Sequence, residues 1–251
     1  VEKKTWATFE DGLKNISVLK WCFYGCMTIG VISMLVAGYI TNGEAIRSLL
    51  FQDKKDFFAD YLNSIQYGNC PYVKGVIYPP LINLLYSIIG HFNIIGESGR
   101  ATRSTQTGVL VLGTYCFIIY LFFMWEIVKS KQGIIQEKIF FVAIMLFSLP
   151  FIYAFERGNS IILALLFVLI FLRLYKAKDK GKRYLAFFSL AISASIKISP
   201  AIFGVLLIKE RRFKDASISI LLGMLVFLLP FLFTDGNPII LINNILKTTK
   251  S

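Results

Sequence analysis

Ionisable side chains that interrupt long apolar runs are the residues of this sequence best suited to chemistry. Asp53, Asp56 and Asp60 share one polar stretch, Glu156-Arg157-Gly158-Asn159 separates two apolar runs, and Lys197 lies inside another. A charged side chain at the centre of a membrane helix costs about 2.5–3.5 kcal/mol, which makes each such residue a functional candidate. Lysine and arginine can hold a phosphate group, and a carboxylate can act as general base on a hydroxyl. Together these residues indicate a site for transfer from a phosphate-bearing substrate.

The composition indicates which elements must position these residues. The chain of 251 residues is 56% hydrophobic and 17% charged, whereas soluble globular chains are roughly 45–50% apolar and about 25% charged. Its cysteines are too few for a secreted disulfide scaffold, and its abundance of Phe, Ile and Leu excludes a disordered chain. We therefore predict an all-α polytopic transmembrane bundle of about 7–9 membrane segments, forming a single domain over residues 1–251.

The net charge of +12 is concentrated in two basic clusters, residues 176–183 and residues 209–214. In a soluble protein this charge would favour nucleic acid as a partner. Both clusters lie in short gaps between apolar runs, however, where the positive-inside rule places lysine and arginine on the cytoplasmic side. No aromatic and basic platform accompanies the charge. We therefore predict membrane lipids as neighbours and no nucleic acid.

Apolar runs of about 17–25 residues predict the membrane helices. They cover residues 18–40, 77–95, 108–128, 138–155, 160–175, 184–208 and 217–233. The run over 184–208 is broken at Lys197-Ile198-Ser199-Pro200 and has a basic cluster at each end, which predicts two half-helices that form a hairpin. With a cytoplasmic N-terminus, residues 41–76 are predicted to form an external loop. Lys197 is predicted to lie at the same external face of the membrane. Counts of crossings from the two ends disagree by one between residues 96 and 129, so the topology there stays open.

Each candidate also has a structural interpretation that the residues alone leave open. The loop aspartates could pair with neighbouring lysines in solvent, and Glu156 and Arg157 could form an ion pair at a helix end. Lys197 could extend to the membrane interface, and Tyr72 and Tyr78 suit an interfacial aromatic belt. The cysteines and the single histidine lack zinc-ligand spacing, so no metal site is predicted.

Four motifs in the same order resemble one known family. The run Asp56-Phe57-Phe58-Ala59-Asp60-Tyr61-Leu62-Asn63-Ser64-Ile65, followed by Pro71-Tyr72 and Ile77-Tyr78-Pro79-Pro80-Leu81, resembles the first-loop pattern of that family. Glu156-Arg157-Gly158-Asn159 and Lys197-Ile198-Ser199-Pro200 resemble its second and third signatures. The family is the polyprenol-phosphate-mannose-dependent mannosyltransferase-like group of GT-C glycosyltransferases. The resemblance covers the chain from about Asp56 to Lys214.

The resemblance implies a GT-C-type bundle that transfers a mannose-like hexose, with inversion, from a polyprenyl-phosphate donor. The acceptor would be a glycolipid or glycan on the external face of the membrane. A first-loop aspartate would be the general base, with Asp60 and Asp56 both open, and Arg157 and Lys197 would steady the departing phosphate. No metal or other cofactor is implied beyond the donor substrate. The substrate-binding candidates are Tyr72, Tyr78, Glu156, Arg157, Asn159 and Lys197.

A transporter or lipid-linked-sugar flippase is the alternative function, because transporters also contain broken helices. That alternative favours a matching break in each half of the chain, whereas the sequence has one. The apolar runs predict a multi-pass protein of a plasma membrane, and the share of Ile and Lys in the composition is typical of a low-GC bacterium. The chain begins at Val1 and members of the family are commonly longer, so it is open whether this is a piece of a longer protein. The sugar, the acceptor and the oligomeric state are not indicated.

Overall fold

The computed structural model describes residues 2–45, 58–68, 71–72, 75–90, 106–129 and 134–248. Regular structure in these ranges is helical, without strands, which confirms the all-α prediction. In chain order the α-helices are α1 (Glu2–Ile40), α2 (Ala59–Gln66), α3 (Pro80–Gly90), α4 (Gln106–Lys129), α5 (Ile135–Phe147), α6 (Leu149–Arg157), α7 (Ile161–Leu174), α8 (Lys180–Ile196), α9 (Val205–Lys209), α10 (Phe213–Leu228) and α11 (Pro238–Thr248). Two 3-10 helices, Ser199–Gly204 and Leu229–Leu232, adjoin α9 and α10. Asp56 lies outside the described residues, as do residues 91–105, which include the first part of the stretch 96–129 where the crossing counts disagree.

Two helical stretches among these residues, Trp21–Ile40 and Phe213–Leu232, are long and apolar enough to cross a membrane. They confirm the predicted runs 18–40 and 217–233. The pair α5 and α6 adds a third crossing if the two helices form one bent span. Several other apolar helices are shorter than a full span, among them Pro80–Gly90 and Ile161–Leu174. The number of about 7–9 segments therefore stays a prediction.

The predicted run 138–155 is not one straight helix, because α5 and α6 meet at an angle of 57°. Ser148 between them has an extended backbone, and its hydroxyl donates to the carbonyl of Met145 at 2.7 Å. Pro150 follows in the first turn of α6, where its missing N–H is tolerated, whereas a continuous helix would place its ring against a carbonyl. The sequence pair Leu149-Pro150 thus explains the bend, which the apolar run alone did not indicate.

The chain divides into two compact units. The first comprises residues 1–52 and 132–153, and α1 packs on α5 there through aromatic pairs such as Tyr24 with Phe140, whose ring centroids are 5.7 Å apart. The second comprises residues 53–131 and 154–251. All the described candidate site residues belong to the second unit.

In the second unit, α7 and α8 pack closely because small side chains lie between them. Ala164 and Ala186 are completely buried, and the Ser193 hydroxyl donates to the carbonyl of Ala164 at 2.7 Å. The apolar face of α2 completes the core on this pair, with Tyr61 among its buried residues and Tyr86 of α3 beside it. The rings of Tyr61 and Tyr86 make an edge contact with centroids 5.6 Å apart.

The broken run over 184–208 forms the predicted hairpin. α8 ends where Lys197 turns to extended backbone, and a 3-10 helix and α9 follow. Near the start of α8, Arg183 lies 3.8 Å from the Asp215 carboxylate, and beyond α9 the Arg212 guanidinium donates to the Tyr175 carbonyl at 2.7 Å. The two basic clusters therefore meet at one end of the unit, which confirms the reversal of the chain between them.

Arg212 connects the loops at this end, and its replacement by lysine is expected to destabilise the fold. Its guanidinium donates to Asp215 Oδ2 at 2.6 and 2.9 Å while also reaching the Tyr175 carbonyl. A lysine cannot bond in this forked way, so Arg212→Lys should lower the free energy of unfolding by about 1–3 kcal/mol. Thermal unfolding in detergent measures this loss, and Arg211→Lys at the neighbouring exposed position should change it by less than about 0.5 kcal/mol. An equal effect of both variants would contradict the proposed role of the guanidinium.

Candidate functional site

The site is built on the turn at the end of α6. The amide of Gly158 donates to the Phe155 carbonyl and the amide of Asn159 to the Ala154 carbonyl, both at 2.9 Å, which is the Schellman pattern of helix termination. Gly158 has a φ of +62°, a conformation that glycine adopts without the Cβ penalty. The turn places the Asn159 side chain just before α7, where its Oδ1 accepts the amide of Ile161 at 3.0 Å.

The short helix α2 docks against this turn. The amide of Phe58 donates to the carbonyl of Glu156 at 2.8 Å, so the start of α2 caps the end of α6. The Phe58 ring packs edge-on against Phe155 with centroids 5.5 Å apart, and Phe58 itself has a φ of +58°. Asp60 lies two residues after Phe58, in the first turn of α2, where the helix dipole favours a negative charge.

Docking brings together three of the sequence-predicted residues, which we call the Asp60–Asn159–Lys197 chain. Asn159 Nδ2 donates to Asp60 Oδ2 at 2.8 Å, and Lys197 Nζ donates to Asn159 Oδ1 at 3.3 Å. All three side chains are half-buried. The amide thus separates the carboxylate from the ammonium group, and the base candidate is not neutralised by a direct ion pair with Lys197.

Tyr78 packs against the buried cluster that contains Tyr61, the residue after Asp60, and Tyr72 in turn contacts Tyr78. Burial raises the pKa of Tyr72 to about 12, so its phenol stays a protonated donor at neutral pH. Tyr72 is only 2% exposed, and its hydroxyl donates to the Tyr78 carbonyl at 3.4 Å. That carbonyl also accepts Nδ2 of Asn83 at 3.0 Å, so Tyr72 and Asn83 both hold Tyr78.

Glu156 and Arg157 end α6 as neighbours and form an ion pair. The Arg157 Nε atom lies 3.5 Å from Glu156 Oε2, and Glu156 is 3% exposed whereas the arginine side chain is 30% exposed. The ion pair that the sequence left open is present, and it leaves the arginine the more accessible of the two. Asp56, the other base candidate, cannot be compared with Asp60 because it lies outside the described residues.

An apolar groove of about 560 Å³ is lined by residues that flank Lys197 in sequence. Its walls come from α8, the first 3-10 helix, α9 and α10, with Ser195 and Ile198 on either side of the lysine in sequence. Alanine and glycine at several lining positions keep the groove open. Among the described residues, no group of three or more His, Cys, Asp or Glu side chains is arranged to hold a metal ion.

This arrangement can place the carboxylate of Asp60 beside a substrate hydroxyl and the ammonium group of Lys197 beside a substrate phosphate. The sequence analysis assigned no role to three residues that create this arrangement. The amide of Phe58 docks α2 on the turn, Asn83 holds the carbonyl of Tyr78, and Gly158 allows the turn itself. The dipeptide Gly158-Asn159 after an apolar helix is the usual signal of a helix end, and it could have identified the turn. Phe58 and Asn83 act through contacts that no local pattern indicates.

Comparison with known proteins adds one finding. A family model described as glycosyltransferase family 87 matches residues 77–240, which is more than half of the 251-residue chain. The matched range contains Tyr78, residues 156–159 and Lys197, while Asp60 and Tyr72 precede it. No curated protein and no solved structure matches the chain significantly.

Proposed function

The chain belongs to glycosyltransferase family 87, and from this premise we propose that it is a membrane-embedded, inverting hexosyltransferase of the GT-C type. The donor is a mannose-like sugar on a polyprenyl phosphate, and the acceptor is a glycolipid or glycan on the external face of the membrane. The observation that carries the proposal is the Asp60–Asn159–Lys197 chain, with a carboxylate, an amide and an ammonium group linked at 2.8 and 3.3 Å.

Asp60 acts as the general base in this proposal. Its carboxylate takes the proton of the acceptor hydroxyl while the hydroxyl oxygen attacks the anomeric carbon. The bond between that carbon and the phosphate oxygen breaks, and the lipid phosphate leaves with the bonding electrons. Attack from the face opposite the leaving group inverts the anomeric configuration. The hydrogen bond from Asn159 to Oδ2 fixes the orientation of the carboxylate, which supports this role.

Lys197 and Arg157 would offset the charge that develops on the departing phosphate. Within the part of the chain that the structure describes, Lys197 Nζ donates to the neutral side-chain amide of Asn159, so its charge is available to an anion. The apolar groove lined by Ser195 and Ile198 supports the same assignment, because the hydrocarbon chain of the donor could follow it while the phosphate stays at Lys197. Tyr78, which packs against the cluster that contains Phe58 and Tyr61, would line the sugar pocket.

Sugar transfer by isolated membranes tests the proposal. Membranes from a strain that lacks the gene, supplied with radiolabelled polyprenyl-phosphate-mannose, should label a glycolipid or glycan only after the wild-type protein is restored. Mass spectrometry of surface glycans should show a product one sugar short in the deletion strain. A complete lipid-linked precursor that accumulates in the deletion strain would instead support the flippase and overturn the transferase.

Replacement of Asn159 by aspartate is expected to reduce transfer more than its replacement by alanine. Asn159→Asp removes the Nδ2 donor and sets a second carboxylate beside Asp60 Oδ2, where the two negative charges repel each other. The new carboxylate also comes within reach of Lys197 Nζ, which lies 3.3 Å from Asn159 Oδ1, and an ion pair there makes the lysine less available to a substrate phosphate. We therefore expect kcat/KM to fall by about 10²-fold. Asn159→Ala should cost about tenfold.

The control for added charge is Asn243→Asp at an exposed position of α11, which should leave kcat/KM unchanged. An Asn159→Asp variant that transfers sugar as efficiently as Asn159→Ala or the wild type would contradict the proposed role of the contact between residue 159 and Asp60.

A further inference from the structure

Tyr72 of the predicted external loop is hydrogen-bonded at both its backbone amide and its backbone carbonyl. The two partners lie in the turn before α11 and in α11 itself. The amide of Tyr72 donates to Asp235 Oδ1 at 3.4 Å, and Asn244 Nδ2 donates to the Tyr72 carbonyl at 3.0 Å. The same Nδ2 lies 3.5 Å from the carbonyl of Val76. These bonds join residues separated by more than 160 positions in sequence. We call Asp235 and Asn244 together the Tyr72 clamp.

The side chain of Tyr72 is held by the same segment of the chain. Its ring lies against Phe231, with ring centroids 5.5 Å apart and an interplanar angle of 34°. Gly236 approaches the ring so closely that a Cβ at this position would overlap Cγ and Cδ2 of Tyr72. The backbone and the ring of this buried tyrosine are thus both held by the segment 231–244.

The clamp reaches the candidate base through Tyr78. The Tyr72 hydroxyl donates to the Tyr78 carbonyl, and Asn83 fixes the same carbonyl from α3. Tyr78 packs against the buried cluster that contains Phe58 and Tyr61, the residues on either side of Ala59-Asp60. A displacement of Tyr72 would therefore move the phenol that lines the proposed sugar pocket, while Asp60 and Asn159 keep their own hydrogen bond.

We propose that Asp235 and Asn244 are positioning residues for sugar transfer, because they hold Tyr72 at its amide and carbonyl and so set the place of Tyr78 beside Asp60. The inference rests on the proposed function. Its consequence is specific to binding: loss of the clamp loosens a wall of the sugar pocket and leaves the base in place. Loss of an interaction that binds the substrate equally well in the ground state and in the transition state raises KM and spares kcat.

Two measurements on the wild type and on Asp235→Ala and Asn244→Ala test the inference. Hydrogen–deuterium exchange in nanodiscs should show faster exchange for peptides that cover residues 71–78 in both variants. The apparent KM for polyprenyl-phosphate-mannose should rise about tenfold, with kcat within about threefold of the wild type. Asp235→Asn retains an oxygen that accepts the Tyr72 amide and should restore both readouts.

The chain offers a matched control in Asn243, an exposed neighbour of Asn244 on the same helix. Asn243→Ala should exchange and transfer like the wild type. Unchanged exchange in Asp235→Ala and Asn244→Ala, or faster exchange with an unchanged KM, would overturn the positioning role while wild-type transfer upholds the proposed function. A wild-type protein that transfers no sugar would overturn the proposed function and this inference together.

Discussion

Replacing Asp60 by asparagine is expected to lower the rate of sugar transfer by about 10²–10⁴-fold, the usual contribution of a general base. Asparagine has the shape of aspartate, and its side-chain oxygen can still accept the hydrogen bond that Asn159 Nδ2 donates to Asp60. The fold should therefore survive while the proton acceptor is lost. Initial rates of label transfer from polyprenyl-phosphate-mannose measure the effect, and thermal unfolding of the purified variant checks the fold.

Asp56→Asn is the matched control, since the two aspartates lie in the same predicted external loop and both are base candidates. With Asp60 as the base, Asp56→Asn should keep most of the wild-type rate. The opposite pattern, an inactive Asp56→Asn with an active Asp60→Asn, would move the base to Asp56. A strain that carries Asp60→Asn should also accumulate the glycan that is one sugar short.

Replacing Gly158 by alanine is expected to lower the free energy of unfolding by about 2–5 kcal/mol and to abolish transfer. The φ of +62° costs an alanine about 1–2 kcal/mol. The new Cβ would also lie 2.7 Å from Tyr61 Cβ and 3.0 Å from Phe58 Cδ1, and such overpacking adds about 1–3 kcal/mol. Relief of the overlap requires α2 to move off the turn, which separates Asp60 from Asn159.

Gly75→Ala separates the two causes, because Gly75 has a φ of +77° but open space around the position of a Cβ. This variant should lose only the conformational part, about 1–2 kcal/mol, and should retain transfer. Equilibrium unfolding in mixed detergent micelles and rates of label transfer measure both variants. Equal losses in both would show that the contact between α2 and the turn contributes little to stability.

Features of the fold that depend on local pattern could be predicted from the sequence. The break at Lys197-Ile198-Ser199-Pro200 was evident because a lysine and a proline interrupt an apolar run, and the basic clusters showed that the chain reverses there. The bend at Ser148 was missed, since an apolar run has the same composition whether it is straight or bent. Pro150 carried the signal that composition alone did not.

Features that depend on distant contacts could not be predicted. The eight residues of α2 are too few for a stable isolated helix, and their polar stretch was interpreted as loop. α2 forms where Tyr61 and Leu62 find a buried surface on other helices. Likewise, nothing around Asp235 or Asn244 in the sequence relates them to Tyr72. The candidate residues were therefore identifiable by type, whereas their partners required the structure.

The amide of Phe58 that caps α6 has a consequence for the biogenesis of the protein. Asp60 precedes Asn159 by 99 residues, so at about 5–20 residues per second the loop leaves the ribosome roughly 5–20 s before its docking turn is synthesised. During this interval α2 lacks the surface that stabilises it. Asp60 can therefore reach its partner Asn159 only after α6 and the turn that follows it have been synthesised.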